Sequence, residues 1–301
     1  MSRIAAATPA GRFRFRWPRA WRTPLGIIGT VIAGAWIIVA FTAQWWVPYP
    51  PNAQVLPRLQ PPGIETLLGT DGNGRDIFSR LMTGATVSLP LALMLVIAAM
   101  IIGTLIGALA GYFGGWVDET LMRITDLFIS LPQLPLLLLI VYLFRESLKK
   151  MLGAEAGIFI LIVAVIGGLR WMPVARLVRA QFLSLREKEF VEAARSLGAP
   201  PFRQVVRHIL PNALGPVIVA GTIDVAAAII IESSLSFLGL GFPPDIPTWG
   251  RILFDAKDNL DFAPHWAIFP GTAIFLTVLS INYIGDGLRD ALDPRKVLGH
   301  S

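Results

Sequence analysis

The chain has 301 residues, 54% of them hydrophobic and only 15% charged, against about 25% charged in an ordinary soluble domain. A mean hydropathy of +0.62 excludes a water-soluble globule and places the chain in a bilayer. Cysteine is absent, which excludes disulfides and thiolate metal centres, and the net charge of +6 is explained by membrane topology without invoking nucleic acid.

Residues 1–22 carry Arg3, Arg12, Arg14, Arg16, Arg19 and Arg22 with no acid, a basic tail of the kind retained in the cytoplasm. The first predicted transmembrane helix, 23–47, exceeds the apolar core of a signal peptide, which is about 7–15 residues. It ends in Gln44-Trp45-Trp46 instead of a small-residue cleavage site, so it reads as a retained anchor with Trp45, Trp46 and Tyr49 at the outer interface. The extracytoplasmic loop 48–80 begins Pro-rich and continues L-G-T-D-G-N-G-R-D-I-F-S-R-L, where Gly69, Gly72 and Gly74 permit a tight turn and Asp76 caps a helix over 77–83. No strand precedes this loop and no Gly-Lys-Ser/Thr follows, so an ordered outer cap is expected and not a phosphate cradle.

The core, 81–287, holds five further predicted spans at about 84–111, 125–145, 156–177, 209–235 and 264–285. The third of these needs Arg170 to face protein or snorkel. Gly103, Gly107 and Gly111 recur at every fourth residue, a face on which another helix can approach closely. Gly239, Gly241, Pro243 and Pro244 end the fifth span and open an outer loop in which Trp249 is expected as an interface or partner contact. The expected fold is an all-α integral membrane protein with six transmembrane helices, and six crossings return the tail 288–301 to the cytoplasm. That topology also puts the cluster Arg176, Arg179, Arg186, Lys188, Arg195, Arg203 and Arg207 inside.

Residues 183–208 interrupt the apolar pattern with a polar helix-turn-helix. On a helix from Leu183, Phe190, Ala194 and Leu197 share one apolar face; Gly198 stops it and Pro200-Pro201 opens a second helix with Phe202, Val205, Val206 and Ile209 on one side. Such a segment suits docking of a soluble partner or apposition to lipid. No Gly-Lys pair occurs anywhere, so nucleotide is not held by a Walker A loop. No Ser, His and carboxylate are placed for catalysis in the membrane, and the three histidines are scattered. The chain is expected to be no enzyme and to hold no cofactor; if ATP drives it, another subunit binds the nucleotide.

The loop resembles the E-A-A…G…I-x-L-P segment of the integral membrane subunits of ATP-binding-cassette importers, with Glu192, Ala193, Ala194, Gly198, Leu210 and Pro211 on matching positions. It departs at one position, where His208 stands in place of Ile and Ile209 follows. The stretches 68–81, 232–251 and 285–295 are similar to the peptide/nickel branch of that family, specifically its second permease subunit. The resemblance implies a type I importer permease fold in a prokaryotic plasma membrane, paired with a homologous second permease, two cytoplasmic ATPases that bind the ATP, and an extracytoplasmic solute-binding protein. It further implies that the 192–198 helix docks on an ATPase and that alternating access moves a peptide, nickel chelate, glutathione, opine or oligosaccharide.

Two carboxylates fall in the fifth span, where a buried charge costs several kcal/mol unless it faces a pore, pairs or lies near an end. Glu232 fits the branch pattern and suggests a structural bond near the outer end, whereas Asp224 departs from it and suggests a path-facing or paired group tuned to a cationic solute. An ion-coupled secondary transporter using Asp224 or Glu232, or a membrane scaffold for soluble partners, are the rival classes; a carrier would show internal repeats, which are not seen.

Overall fold

The computed structural model describes residues 24–292, all of them helical or irregular with no β-sheet. The basic tail 1–22 and the end of the C-terminal tail, including Pro294 and Arg295, lie outside the described residues. Four helices are long and apolar enough to cross a membrane alone: α1 (Pro24–Trp46), α2 (Ile77–Phe113), the helix running through α9 (Leu210–Phe237), and α11 (His265–Leu292). Two bent pairs raise the number to six: α3 (Gly115–Ser130) with α4 (Gln133–Leu152), and the α5 segment (Ala154–Ile162) with α6 (Trp171–Leu185).

The chain follows its local signals at several boundaries. Asp76 is extended (φ −69°, ψ 120°) and accepts from the Ser79 amide at 2.7 Å, satisfying an orphan N–H at the start of α2. The helix then runs 37 residues, about 55 Å, joining the expected 77–83 helix and the 84–111 span into one rod long enough to stand proud of a ~30 Å core.

The expectation of one helix over 125–145 is corrected. The pair α3–α4 turns through 86° at Leu131-Pro132. A residue before proline is pushed out of the helical region, and Leu131 is extended (ψ 137°), as is Pro132 (ψ 106°). Apolarity is continuous across the bend, but direction is not.

The two largest of four apolar clusters among the described residues build most of the interior. At the end bearing the 48–80 loop, Leu91 and Leu95 of α2 meet Ile158 and Ile162 of α5, Val165 and Ile166, and Ala228, Ile229 and Leu235 of α9. At the opposite end, Val174, Val178 and Phe182 of α6 meet Ala213 and Val217 of α9. Between Ile162 and α6 the chain passes through a π-helical stretch, Val163–Gly167, and bends by 43°. The glycine face of α2 receives α6 directly: a Cβ at Gly107 would lie 2.4 Å from the Ala175 carbonyl oxygen.

The cap is bound by ions across the sequence. Arg75 meets Asp71 at 2.5 Å and Asp255 at 3.2 Å; Arg80 lies 3.5 Å and Arg251 2.7 Å from Asp255. Arg75 and Arg80 also donate to the Pro244 carbonyl, each at 3.3 Å. This joins the loop to α10 (Trp249–Ala256). Trp249, expected as an interface or partner contact, is instead fully buried: its indole N–H donates to the Leu81 carbonyl at 3.0 Å and its ring stands edge-on to Trp36, 4.9 Å away. An indole at a helix start with both a carbonyl and an aromatic neighbour within reach gains more from burial than from the interface.

Candidate functional site

The polar helix-turn-helix comprises α7 (Glu189–Ser196) and α8 (Pro201–Arg203), the latter continuing through a π-helical stretch, Gln204–Ile209, into α9. Glu189 and Glu192 occupy the first turn of α7, where the helix dipole favours acids. At its end Gly198 adopts φ +78°, and the Ala199 amide reaches back to the Ala194 carbonyl at 3.0 Å, a Schellman closure that only glycine enters without strain. Pro200 is extended and Pro201 opens the next helix, where its missing N–H is no loss.

The turn is tied to the spans from beneath. Gln204, 3% exposed, accepts from the Tyr112 hydroxyl at 3.0 Å and donates to the Ala199 carbonyl at 2.7 Å. Arg186 donates to the Gly111 carbonyl at 3.2 Å. Two further ion pairs, Arg179–Asp118 and Arg176–Asp126, bind α6 to α3. The acids of the 112–126 segment therefore lie at the same end of the molecule as the arginine cluster of α6.

The continuous helix expected from Leu183 through Leu197 is corrected. α6 ends at Leu185, and Lys188 is extended (ψ 145°), so α7 starts with a new phase. Of the expected apolar face only Ala194 is buried, and Val191, a member of the cluster of Phe182 and Ile209, is buried beside it. Phe190 (43% exposed), Leu197 (88%) and Phe202 (78%) stand in solvent, as do Glu192, Ala193 and Gly198. A second departure has a geometric reading. The π-helical stretch widens the turn, so Ile209 and not residue 208 enters the core, while His208 stays half-buried and Leu210 and Pro211 begin α9. The result is an anchored platform whose outward face is apolar and rimmed by charge.

The two membrane carboxylates part company. Glu232, 1% exposed, accepts from the Ser236 hydroxyl at 2.8 Å inside the cap-end core. Asp224 meets Arg170, whose Nε donates at 3.1 Å while a terminal nitrogen contacts the other carboxylate oxygen. Sequence reasoning named Asp224 but not its partner, because 54 residues and a helix break separate them. The one legible signal was an arginine otherwise stranded in an apolar run.

A polytopic helical bundle that holds an anchored, outward-facing helix-turn-helix at one end and a stitched cap at the other defines a membrane transport subunit. Residues 99–297 match the family described as "Binding-protein-dependent transport system inner membrane component", and the chain belongs to that family as a permease subunit of an ATP-binding-cassette importer. It is 42% identical to a putative peptide permease protein of Brucella suis biovar 1, over 90% of this chain and 87% of the relative. It is 39% identical to the dipeptide transport system permease protein DppC of Alkalihalophilus pseudofirmus, over 96% and 91%. With the glutathione transport system permease protein GsiD of Pectobacterium atrosepticum it shares 40% identity over 94% and 92%. The fold is similar to a chain of the MetNI methionine ABC transporter in an inward-facing conformation, with TM-score 0.53, 19% identity, and coverage of 72% of this chain and 98% of that one.

Proposed function

We propose that this permease carries short peptides, powered by ATP hydrolysed on partner subunits that dock on α7 and α8. The observation that carries the docking reading is the outward face of Phe190, Leu197 and Phe202 beside Glu192, held on a platform whose inner face is fixed by Gln204 and Arg186. Large exposed apolar side chains at the tip of a polar segment cost free energy in water and are stabilised by a complementary cleft. Ala193 and Gly198 are small enough to let a partner backbone approach, and Glu192 is placed to accept a charge-assisted bond.

The peptide reading rests on three relatives whose names specify peptide, dipeptide and glutathione transport. The full assembly in this reading comprises a homologous second permease, two cytoplasmic ATPases and an extracytoplasmic solute-binding protein in a prokaryotic plasma membrane, with both termini inside. The exposed apolar face of α4, with Leu139, Tyr142 and Leu143, is available to lipid or to that second permease. Asp224, with its charge already met by Arg170, is not offered as a lone receptor for a cationic solute; Glu232 serves the core of the cap end.

The test is uptake of a labelled dipeptide into proteoliposomes containing the whole complex. Leu197→Glu is expected to reduce copurification of the ATPase and ATP-dependent uptake by about tenfold or more, the scale of losing one interface anchor, while the permease itself accumulates normally. Uptake that survives ATP depletion but collapses with the ion gradient would replace this reading with an ion-coupled carrier. Retained ATPase binding without any uptake would favour a scaffold.

A further inference from the structure

Between the cap-end and loop-end cores, a seam bridged by Met100 and flanked by the buried Trp171 and Met172 holds one ion pair. On the bent span, Val165 and Ile166 belong to the cap-end cluster and Val174 and Val178 to the loop-end cluster. On α9, Ala228 and Ile229 belong to the first and Ala213 and Val217 to the second. Arg170 and Asp224 fall in the interval on both helices.

The backbone on the Arg170 side departs from a regular α-helix although its neighbours are packed, Ile166 in the cap-end core and Trp171 and Met172 beside Ile102 and Ile106 of α2. The π-helical stretch Val163–Gly167 precedes Arg170, the span bends by 43°, and the space around Gly168 is open. π-helical turns are departures from the regular hydrogen-bond ladder that recur at functional sites. α6 and α9 flank this point. The loop between them, residues 186–209, is where the proposed ATPase would pull.

We propose that Arg170 and Asp224 are positioning residues for transport: their ion pair clamps the bent span to α9 at the seam, so that the loop-end halves of both swing as one lever. This rests on the ATP-driven importer reading above. The planar guanidinium places two nitrogens on two carboxylate oxygens, which fixes angle as well as distance; a lysine ammonium would fix distance alone. Both side chains are about one-sixth exposed (17% and 18%), and an unpaired charge in the bilayer is costly, so the pair stays closed through the cycle. With the clamp closed, flexure is left to the bend at Gly168, where nothing lies within 4 Å of a Cβ.

The experiment uses the complete complex with its ATPases, second permease and binding protein in proteoliposomes, with dipeptide uptake and ATP hydrolysis measured together at equal permease content. Arg170→Gln, Asp224→Asn and Arg170→Lys are expected to lower uptake per ATP hydrolysed by about tenfold, within the range of typical coupling free energies, while hydrolysis changes by less than about twofold. The exchanged pair Arg170→Asp/Asp224→Arg is expected to recover most of the ratio. This chain has no cysteine, so Arg170→Cys/Asp224→Cys bridged by a short dithiol-reactive linker reports on the clamp when the partner subunits are made cysteine-free as well. Bridging is expected to restore uptake relative to the unbridged double variant. Uptake abolished by bridging would show that the pair must open and would overturn the clamp. A proportional fall of uptake and hydrolysis in the single variants would reduce the pair to a structural contact and overturn it as well. Absence of ATP-dependent uptake by the unmodified complex would instead overturn the importer reading, and the clamp with it.

Discussion

Single positions decide how closely the spans can meet. Gly103, Gly107 and Gly111 bring α2 onto α6 so tightly that a Cβ at Gly107 would lie 2.8 Å from the Val178 Cβ and one at Gly111 2.6 Å from the Phe182 Cβ. Neither neighbour can yield, because both are fully buried in the loop-end core. Gly107→Ala is therefore expected to destabilise by about 1–3 kcal/mol through overpacking, seen as a lower unfolding temperature of the detergent-solubilised complex. Gly34→Ala in α1, with nothing within 4 Å of its Cβ, is expected to leave that temperature unchanged or slightly raised. Equal shifts in the two variants would remove the close-approach argument.

The outer cap shows what an element gains from distant partners. Asp255 alone serves Arg75, Arg80 and Arg251, and with Asp71 it leaves the network of three arginines and two aspartates at one net positive charge. Removing Asp255 leaves Arg251 without its acid and Arg75 and Arg80 sharing Asp71, so Asp255→Asn is expected to cost about 3–5 kcal/mol. Limited proteolysis of the 48–76 segment at rising temperature would report it. Arg251→Gln, which brings the network to neutrality, is expected to cost clearly less, and the reverse order would refute the electrostatic account. Elements of this kind also mark where sequence reading succeeds. Asp76 with Ser79, the Gly198 stop, the Pro200-Pro201 restart and the α2 glycine face are local patterns, and each was legible. The α3–α4 turn was not, because hydropathy measures apolarity and is blind to direction. The phase of α7 was not legible either: the chain is extended at Lys188, so Val191 and not Phe190 or Leu197 is buried beside Ala194. Nor could spacing reveal that Asp224 answers Arg170, or that Asp255 joins Asp71 at Arg75, since those pairs span 54 and 180 residues.

Across the whole molecule, polarity separates into two ends. The cap network and the helix-turn-helix occupy opposite ends of the spans, so the proposed orientation makes a sharp prediction. In the cysteine-free chain, Ile64→Cys, on a fully exposed side chain of the cap loop, is expected to react with an impermeant thiol reagent in intact cells or spheroplasts. Leu197→Cys, 88% exposed, is expected to react only after permeabilisation. The opposite pattern would invert the molecule and detach the loop from any cytoplasmic motor.

The stitched cap also sets a timetable for biogenesis. Asp255 lies 180 residues beyond Arg75, so at about 5–20 residues per second the nascent cap waits roughly 10–40 s for its second acid. Until α10 emerges, Arg75 and Arg80 share Asp71 alone. A ribosome that stops short of that helix leaves the early loop unsealed on its own side of the membrane, so the last third of the message certifies a structure begun in the first.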